Sequence, residues 1–148
     1  MSNNSLEVME KEAKQYIVVM VGNEQYGIDI RYVDNIVRMQ HITRVPKLQT
    51  YFKGIISLRG EIVPVMSIRK KMELADDEYT NASRIIILKL EEKGAIGIIV
   101  DEVREVVNLS EEQIDRNTNR GRFINGVGKH GEELISLLEI GAIVEETV

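Results

Sequence analysis

Short β-branched runs broken by polar turns dominate the chain, and no long amphipathic stretch of helical period interrupts them. Tyr16-Ile-Val-Val-Met-Val21 is a dense strand former, and the Gly22-Asn23-Glu24 group after it leads into Gln25-Tyr-Gly-Ile-Asp-Ile30, where apolar residues alternate. The two predict a first hairpin. Beyond Ile30 the spacing lengthens: Ile30, Val33, Ile36 and Val37 recur at three and four residues, which predicts a short helical turn before Val37-Arg38-Met39 resumes an extended course. His41 to Leu48 contains Pro46 and reads as a loop or bent strand. Gly54-Ile-Ile-Ser-Leu-Arg-Gly-Glu-Ile-Val-Pro-Val65 then carries two aliphatic runs around an Arg-Gly pair, the pattern of a tight hairpin with Arg59 at its tip and a positive φ supplied by the glycine. Pro64 donates no ladder hydrogen bond, so its strand should be an edge or should turn that position outward.

A polar connector over Glu73 to Ser83 separates this half from a second series of strands. That series comprises Arg84-Ile-Ile-Ile-Leu-Lys-Leu90, the aliphatic stretch Ala95 to Val107, Phe123 to Val127, and Leu134-Ile-Ser-Leu-Leu-Glu-Ile140. The last two lie around a glycine-rich turn region at Gly126 to Gly131. Ser110-x-x-Gln113 fits a capping box and predicts one helical turn. Asp115 to Arg122, polar and carrying Arg116, Arg120 and Arg122, is the expected mobile loop. Residues 1–14 read as a flexible tail, since Ser, Asn and Glu prevail there without apolar period.

The two series repeat one another. At an offset of 70, Tyr16 to Val19 falls on Ile86 to Lys89, Gly27-Ile28 on Gly97-Ile98, Val33 on Val103 and Ile36-Val37 on Val106-Val107. At an offset of 72, Gly54 falls on Gly126 and Glu61-Ile62-Val63 on Glu133-Leu134-Ile135. Five short strands per half are too few to bury both faces of an open sheet and enough to curl into a small barrel. The expectation is a mainly all-β domain over 15–148 with one or two short helices. It would hold two β-barrel subdomains at about 15–80 and about 84–144 that share a core, because a barrel of roughly 60 residues is marginal alone. Whether strands are exchanged between them is left open by the pattern.

A net charge of −5, with basic residues scattered among more numerous carboxylates, argues against nucleic-acid binding. The absence of cysteine removes disulfides, thiolate metal sites and thiol nucleophiles. No stretch approaches the roughly 18 uninterrupted apolar residues of a membrane helix, so the protein is expected to be soluble and intracellular, with no direct membrane insertion. His41 and His130 each sit in loop-like sequence without a neighbouring nucleophile or ligand pattern, and no metal or cofactor is expected. Gly126-x-Gly-x-x-Gly131 spells a dinucleotide pattern but precedes a strand rather than the helix that chemistry needs. The residues assemble no catalytic constellation. A surface role remains: strand edges, a groove between barrels and an arginine-tipped hairpin offered to partners.

Several motifs carry a resemblance along nearly the whole chain, from Tyr16 to about Val144. They are Glu24-Gln-Tyr-Gly-Ile-Asp-Ile30 with Val33 and Ile36, the long Phe52-x-Gly-Ile-Ile-x-Leu-Arg-Gly-x-Ile-Val-Pro-Val65, and Gly97-Ile-Ile-Val-Asp-x-Val103. Together they resemble the CheW family of bacterial chemotaxis coupling proteins, the central motif being the specific one. The resemblance implies two intertwined SH3-like five-stranded barrels. It also implies a non-enzymatic cytoplasmic adaptor, peripheral to receptor arrays at the inner membrane, linking the cytoplasmic tips of methyl-accepting chemoreceptors to the regulatory domain of the histidine kinase CheA. By the same resemblance Arg59 matches the family's hairpin arginine, and Ile30, Val33 and Gly54 match other partner-binding positions. At Asn35 the chain departs from the many relatives that carry Glu there, paired with the arginine, and Glu61 is the substitute at hand. The alternative is a β-barrel sensor holding a small ligand in the groove; the aliphatic groove positions supply few of the converging polar groups such a site needs.

Overall fold

A computed structural model describes residues 13–145; most of the expected N-terminal tail lies outside them. Within them run eleven strands: β1 (Lys14–Val21), β2 (Glu24–Asp29), β3 (Val33–Arg38), β4 (Phe52–Leu58), β5 (Glu61–Ser67), β6 (Arg84–Leu90), β7 (Gly94–Val100), β8 (Glu102–Leu109), β9 (Ile114–Asp115), β10 (Ile124–His130) and β11 (Glu133–Leu138). Two four-residue helices follow the second and the last hairpins, α1 (Ile68–Lys71) and α2 (Ile140–Ile143). The capping box forms as the sequence predicts, Gln113 Oε1 accepting from the Ser110 N–H at 2.9 Å around a single 3-10 turn.

The strands form a six-stranded sheet ordered β8-β1-β2-β11-β10-β9 and a five-stranded sheet ordered β3-β6-β7-β5-β4. Under the repeat, β1, β2, β8, β11 and β10 correspond to β6, β7, β3, β5 and β4, so apart from the two-residue β9 the sheets are the same sheet built twice. The parallel junctions match as well: Leu137 lies opposite Gly27 in one and Val65 opposite Gly97 in the other. The sheets are not the two halves of the chain, however. Each takes its first hairpin from one half and its remaining strands from the other, so the 15–80 and 84–144 boundaries divide the sequence but not the barrels. Local pattern could not show this, because a strand's sequence records how it is buried rather than which chain neighbour it pairs with.

Burial explains the continuous apolar runs. Tyr16 and Val18 of β1 point into the first barrel with Ile135 and Leu137, whereas Ile17, Val19 and Val21 point to a cluster between the barrels. In β6, Ile85 and Ile87 fill the second barrel while Ile86 and Leu88 join the same intervening cluster. Both strands are buried on both faces, hence no alternation with polar residues. The intervening cluster is the largest of the three and includes Ile28, Met66, Ile68, Ile98, Ile140 and Ile143. The barrels share a core, as expected of units too small to stand alone. Asp101 ties the sheets together at one end, accepting from the Gly22 N–H at 2.8 Å and pairing with Arg69 at 2.5 Å.

Two local expectations are corrected and one, at Pro64, is narrowed to one of its alternatives. The helical turn after Ile30 is one 3-10 turn, Ile30–Tyr32, capped by the Asp29 side chain, and Val33 already begins β3 because the β-branched run pairs with β6. At Pro64 the second of the two expected alternatives holds: the strand is internal rather than an edge, but Pro64 lies on the outward face with Ile62, opposite Ile55, whose N–H and C=O both bond Thr43, and the ladder to β7 starts only at Val65. The missing donor is therefore not needed. The Asp115 to Arg122 loop is held by its arginines, Arg116 on Glu111 at 2.8 Å and Arg120 on Ser136 Oγ at 3.0 Å.

Candidate functional site

The central hairpin forms as read, with Ile56 opposite Val63, Ser57 opposite Ile62 and Leu58 opposite Glu61. Arg59 and Gly60 occupy its tip at φ 51° and 81°. A turn with two positive φ values matches the twist of paired strands and favours Asn-Gly, so an arginine in the first place is a conformational cost of about 1 kcal/mol. Alternation fixes what the hairpin shows: Ile56, Val63 and Val65 are buried in the second barrel, and Ile62 points outward with 70% of its surface exposed.

Arg59 is exposed and makes no hydrogen bond or ion pair among the described residues. Neither expected neighbour orients it. The Asn35 side-chain oxygen accepts from the Ile36 N–H at 2.9 Å, a local bond that leaves Arg59 alone, and Glu61 forms no ion pair among the described residues. Asn35 lies on β3 and Arg59 at the end of β4, the two edge strands of the five-stranded sheet.

Ile30 and Val33 sit elsewhere, half-buried against the cluster between the barrels. The 3-10 turn that presents Ile30 is fixed by Asp29, which accepts from the Arg31 backbone N–H at 3.0 Å and pairs with its guanidinium at 2.8 Å. Burial pushes the Asp29 carboxyl up, but the hydrogen bonds from Arg31 outweigh it and hold the group below its ordinary value. Val103, the repeat counterpart of Val33, flanks the same cluster, while Val100, the counterpart of Ile30, is fully buried. The first half alone leaves an aliphatic partly uncovered at that position.

Gly54 is buried, with φ 142°, and a side chain there would place its Cβ 2.1 Å from the Thr43 carbonyl oxygen. Its structural task is to let the 41–48 loop bond across to β4. Gly126 and Gly128 of the misleading glycine pattern likewise lie inside β10, where a Cβ would strike Ile114 at 2.8 Å and Leu109 at 2.5 Å; they serve packing.

Residue-by-residue reading missed a set of exposed aliphatics that the repeat makes visible. Ile62 and its counterpart Leu134 are 70% and 59% exposed, and Ile36 and its counterpart Val106 are 36% and 51% exposed. Each barrel thus presents apolar residues at equivalent outward positions. The available signal was an aliphatic at the outward phase of a strand in both halves. No helix among the described residues is long and apolar enough to cross a membrane.

Comparison with known proteins bears on what such a surface is for. Residues 15–148 match the family of the CheW-like domain. The chain is 30% identical to the chemotaxis protein CheW of Bacillus subtilis strain 168, covering 92% of this chain and 90% of that protein. It is 32% identical to the chemotaxis protein CheW of Klebsiella aerogenes, covering 88% and 81%. Its fold resembles the crystal structure of the scaffolding protein TtCheW from Thermoanaerobacter tengcongensis with a TM-score of 0.83 at 30% identity, over 90% of this chain and 94% of that one.

Proposed function

The chain belongs to the family of CheW-like domains, and from that premise we propose that it is a non-enzymatic adaptor coupling the cytoplasmic tips of chemoreceptors to the histidine kinase CheA in cytoplasmic signalling arrays. The observation that carries this reading furthest is Arg59, held without a partner among the described residues at a hairpin tip in a backbone conformation that suits asparagine or glycine better. A strained, solvent-facing arginine on a rigid β-hairpin is what a docking point for an acidic group requires, and the turn itself gains nothing from it. The corresponding tip of β10 and β11 is Gly131-Glu132, so the arginine is a specialisation of one hairpin.

The surfaces divide naturally between two partners. Ile30 and Val33, at the seam between the barrels, offer hydrocarbon to the helical hairpin of a receptor tip. The outward aliphatics Ile36, Ile62, Val106 and Leu134 offer each barrel a face for a kinase domain of similar build. Contacts of this kind bury little more than about 1,000 Å² and are individually weak, so many copies act together. The aliphatic seam favours a helix over a small metabolite, which needs converging polar groups.

The reading is tested by pull-down with a receptor-tip fragment and, separately, with the kinase regulatory domain, each repeated with Arg59→Ala. The folded wild type is expected to retain both, and the variant to lose about tenfold in at least one. Failure of the wild type to retain either sinks the adaptor reading; unchanged retention by the variant removes Arg59 from it.

A further inference from the structure

The basic residues scattered along the sequence are gathered by the fold. Arg44, Lys47, Lys53 and Lys70 line one hollow of about 470 Å³ beneath the 44–50 loop, with Asp76 as its carboxylate. In a chain of net charge −5 this is a local reversal of sign. Lys53 opens β4, so the hollow lies at the other end of that strand from Arg59, six residues or roughly 20 Å away.

Two of the four cations are already engaged. Asp76 bonds Lys53 at 2.6 Å and Lys70 at 3.5 Å, and the buried Asp77 stands 3.8 Å behind Lys53. The lysine pair holds the Asp76 carboxyl far down, at about 2, the hydrogen bond from Lys53 being the main cause. The acidic 73–83 connector therefore shows how a peptide carboxylate seats here. Arg44 and Lys47 are exposed and have no partner among the described residues, and Lys47 is carried at φ 66°. Val45, Pro46, Leu48 and Phe52 share the lining with these charges, and Leu48 is 39% exposed.

We propose that this hollow docks an acidic peptide segment of a partner protein, its carboxylates on Arg44 and Lys47 and an intervening apolar side chain on Leu48 and Phe52. Charge complementarity selects an anion, and the exposed Leu48 beside the cations favours one that carries hydrocarbon between its charges, which an inorganic anion does not. A concave site of this size suits a few side chains rather than a flat lipid surface. The site lies at the other end of β4 from Arg59 and does not depend on the assignment of receptor and kinase surfaces.

The test is fluorescence anisotropy of a labelled Glu-Glu-Leu-Glu-Glu peptide with the full chain, beside a Gln-Gln-Leu-Gln-Gln control. The acidic peptide is expected to bind saturably and to weaken with added salt, and the control not to bind. R44E/K47E is expected to weaken binding by about tenfold or more and L48S by about threefold, while K129E in the other barrel changes nothing. Should the double reversal fail to fold by circular dichroism, R44Q/K47Q is expected to weaken binding by about threefold. No binding to the wild type, or unchanged binding by both double variants, overturns the proposal. So does equal competition by inorganic phosphate or by phosphatidylglycerol vesicles, which would mark a small-anion or membrane site instead.

Discussion

Ile99→Ala should destabilise both barrels although it touches the interior of only one. Ile99 is 1% exposed and packs in the second barrel with Ile56, Val63, Val65, Ile85 and Ile87. Removing three carbons forfeits about 2.4 kcal/mol of transfer free energy at about 0.8 kcal/mol each, and an unfilled cavity raises the cost to about 3–4 kcal/mol. Each sheet takes strands from both halves of the chain, and the largest apolar cluster lies between the sheets, so neither barrel has a folded state of its own. A two-state transition should follow, with Tm lowered by about 10 °C. Native-state amide exchange gives the sharper readout. The slowest amides of β10 and β11, in the other barrel, should exchange roughly 100 to 1,000 times faster, in step with those of β4 and β5. If β10 and β11 keep wild-type protection while β4 and β5 lose theirs, the barrels unfold separately and the shared-core argument is wrong.

Three further outcomes follow from local geometry. Gly54→Ala sets a Cβ against the Thr43 carbonyl oxygen and should cost more than about 2 kcal/mol in urea denaturation with loss of the Thr43–Ile55 bridge; a cost within about 0.5 kcal/mol would show that the 41–48 loop yields freely. Asp29→Asn should cost about 0.5–1 kcal/mol at neutral pH, since the amide can still cap the turn that presents Ile30 but loses the ion pair with the exposed Arg31 guanidinium. The folded state depresses the Asp29 carboxyl, so its contribution is present above about pH 4 and lost as pH falls through the folded value; wild type and variant should converge in urea midpoint as the acid range is entered, and a pH-independent gap would contradict the assignment. Arg59→Asn should leave stability unchanged or raise it by up to about 1 kcal/mol, because asparagine tolerates the left-handed turn; a loss of stability would make Arg59 a structural residue.

Much of this was readable from residue pattern. Two barrels on one plan followed from the repeat, and the tip at Arg59-Gly60 from turn chemistry, because both depend on local spacing. The strand exchange was not readable. β1 and β6 carry interchangeable aliphatic runs, and only tertiary contact decides that β1 pairs with β8 and β6 with β3. The same limit applies to the basic hollow: Arg44, Lys53 and Lys70 are far apart in sequence and meet only when the loop after β3 folds over the start of β4. At Pro64 the sequence left two alternatives, and only the Thr43–Ile55 pairing with the late start of the β7 ladder decides for an outward position in an internal strand. Asn35 bonds the Ile36 N–H, and Arg59 has no partner among the described residues, neither of which residue pattern could show.

The claim that this chain couples two partners is tested most directly by sedimentation of three components together: the full chain, a soluble receptor-tip fragment and the kinase regulatory domain. One complex containing all three is expected, because the seam at Ile30 and Val33 and the barrel faces at Ile62 and Leu134 are different surfaces. Mutual exclusion of the two partners, or sedimentation of the chain alone, would contradict it.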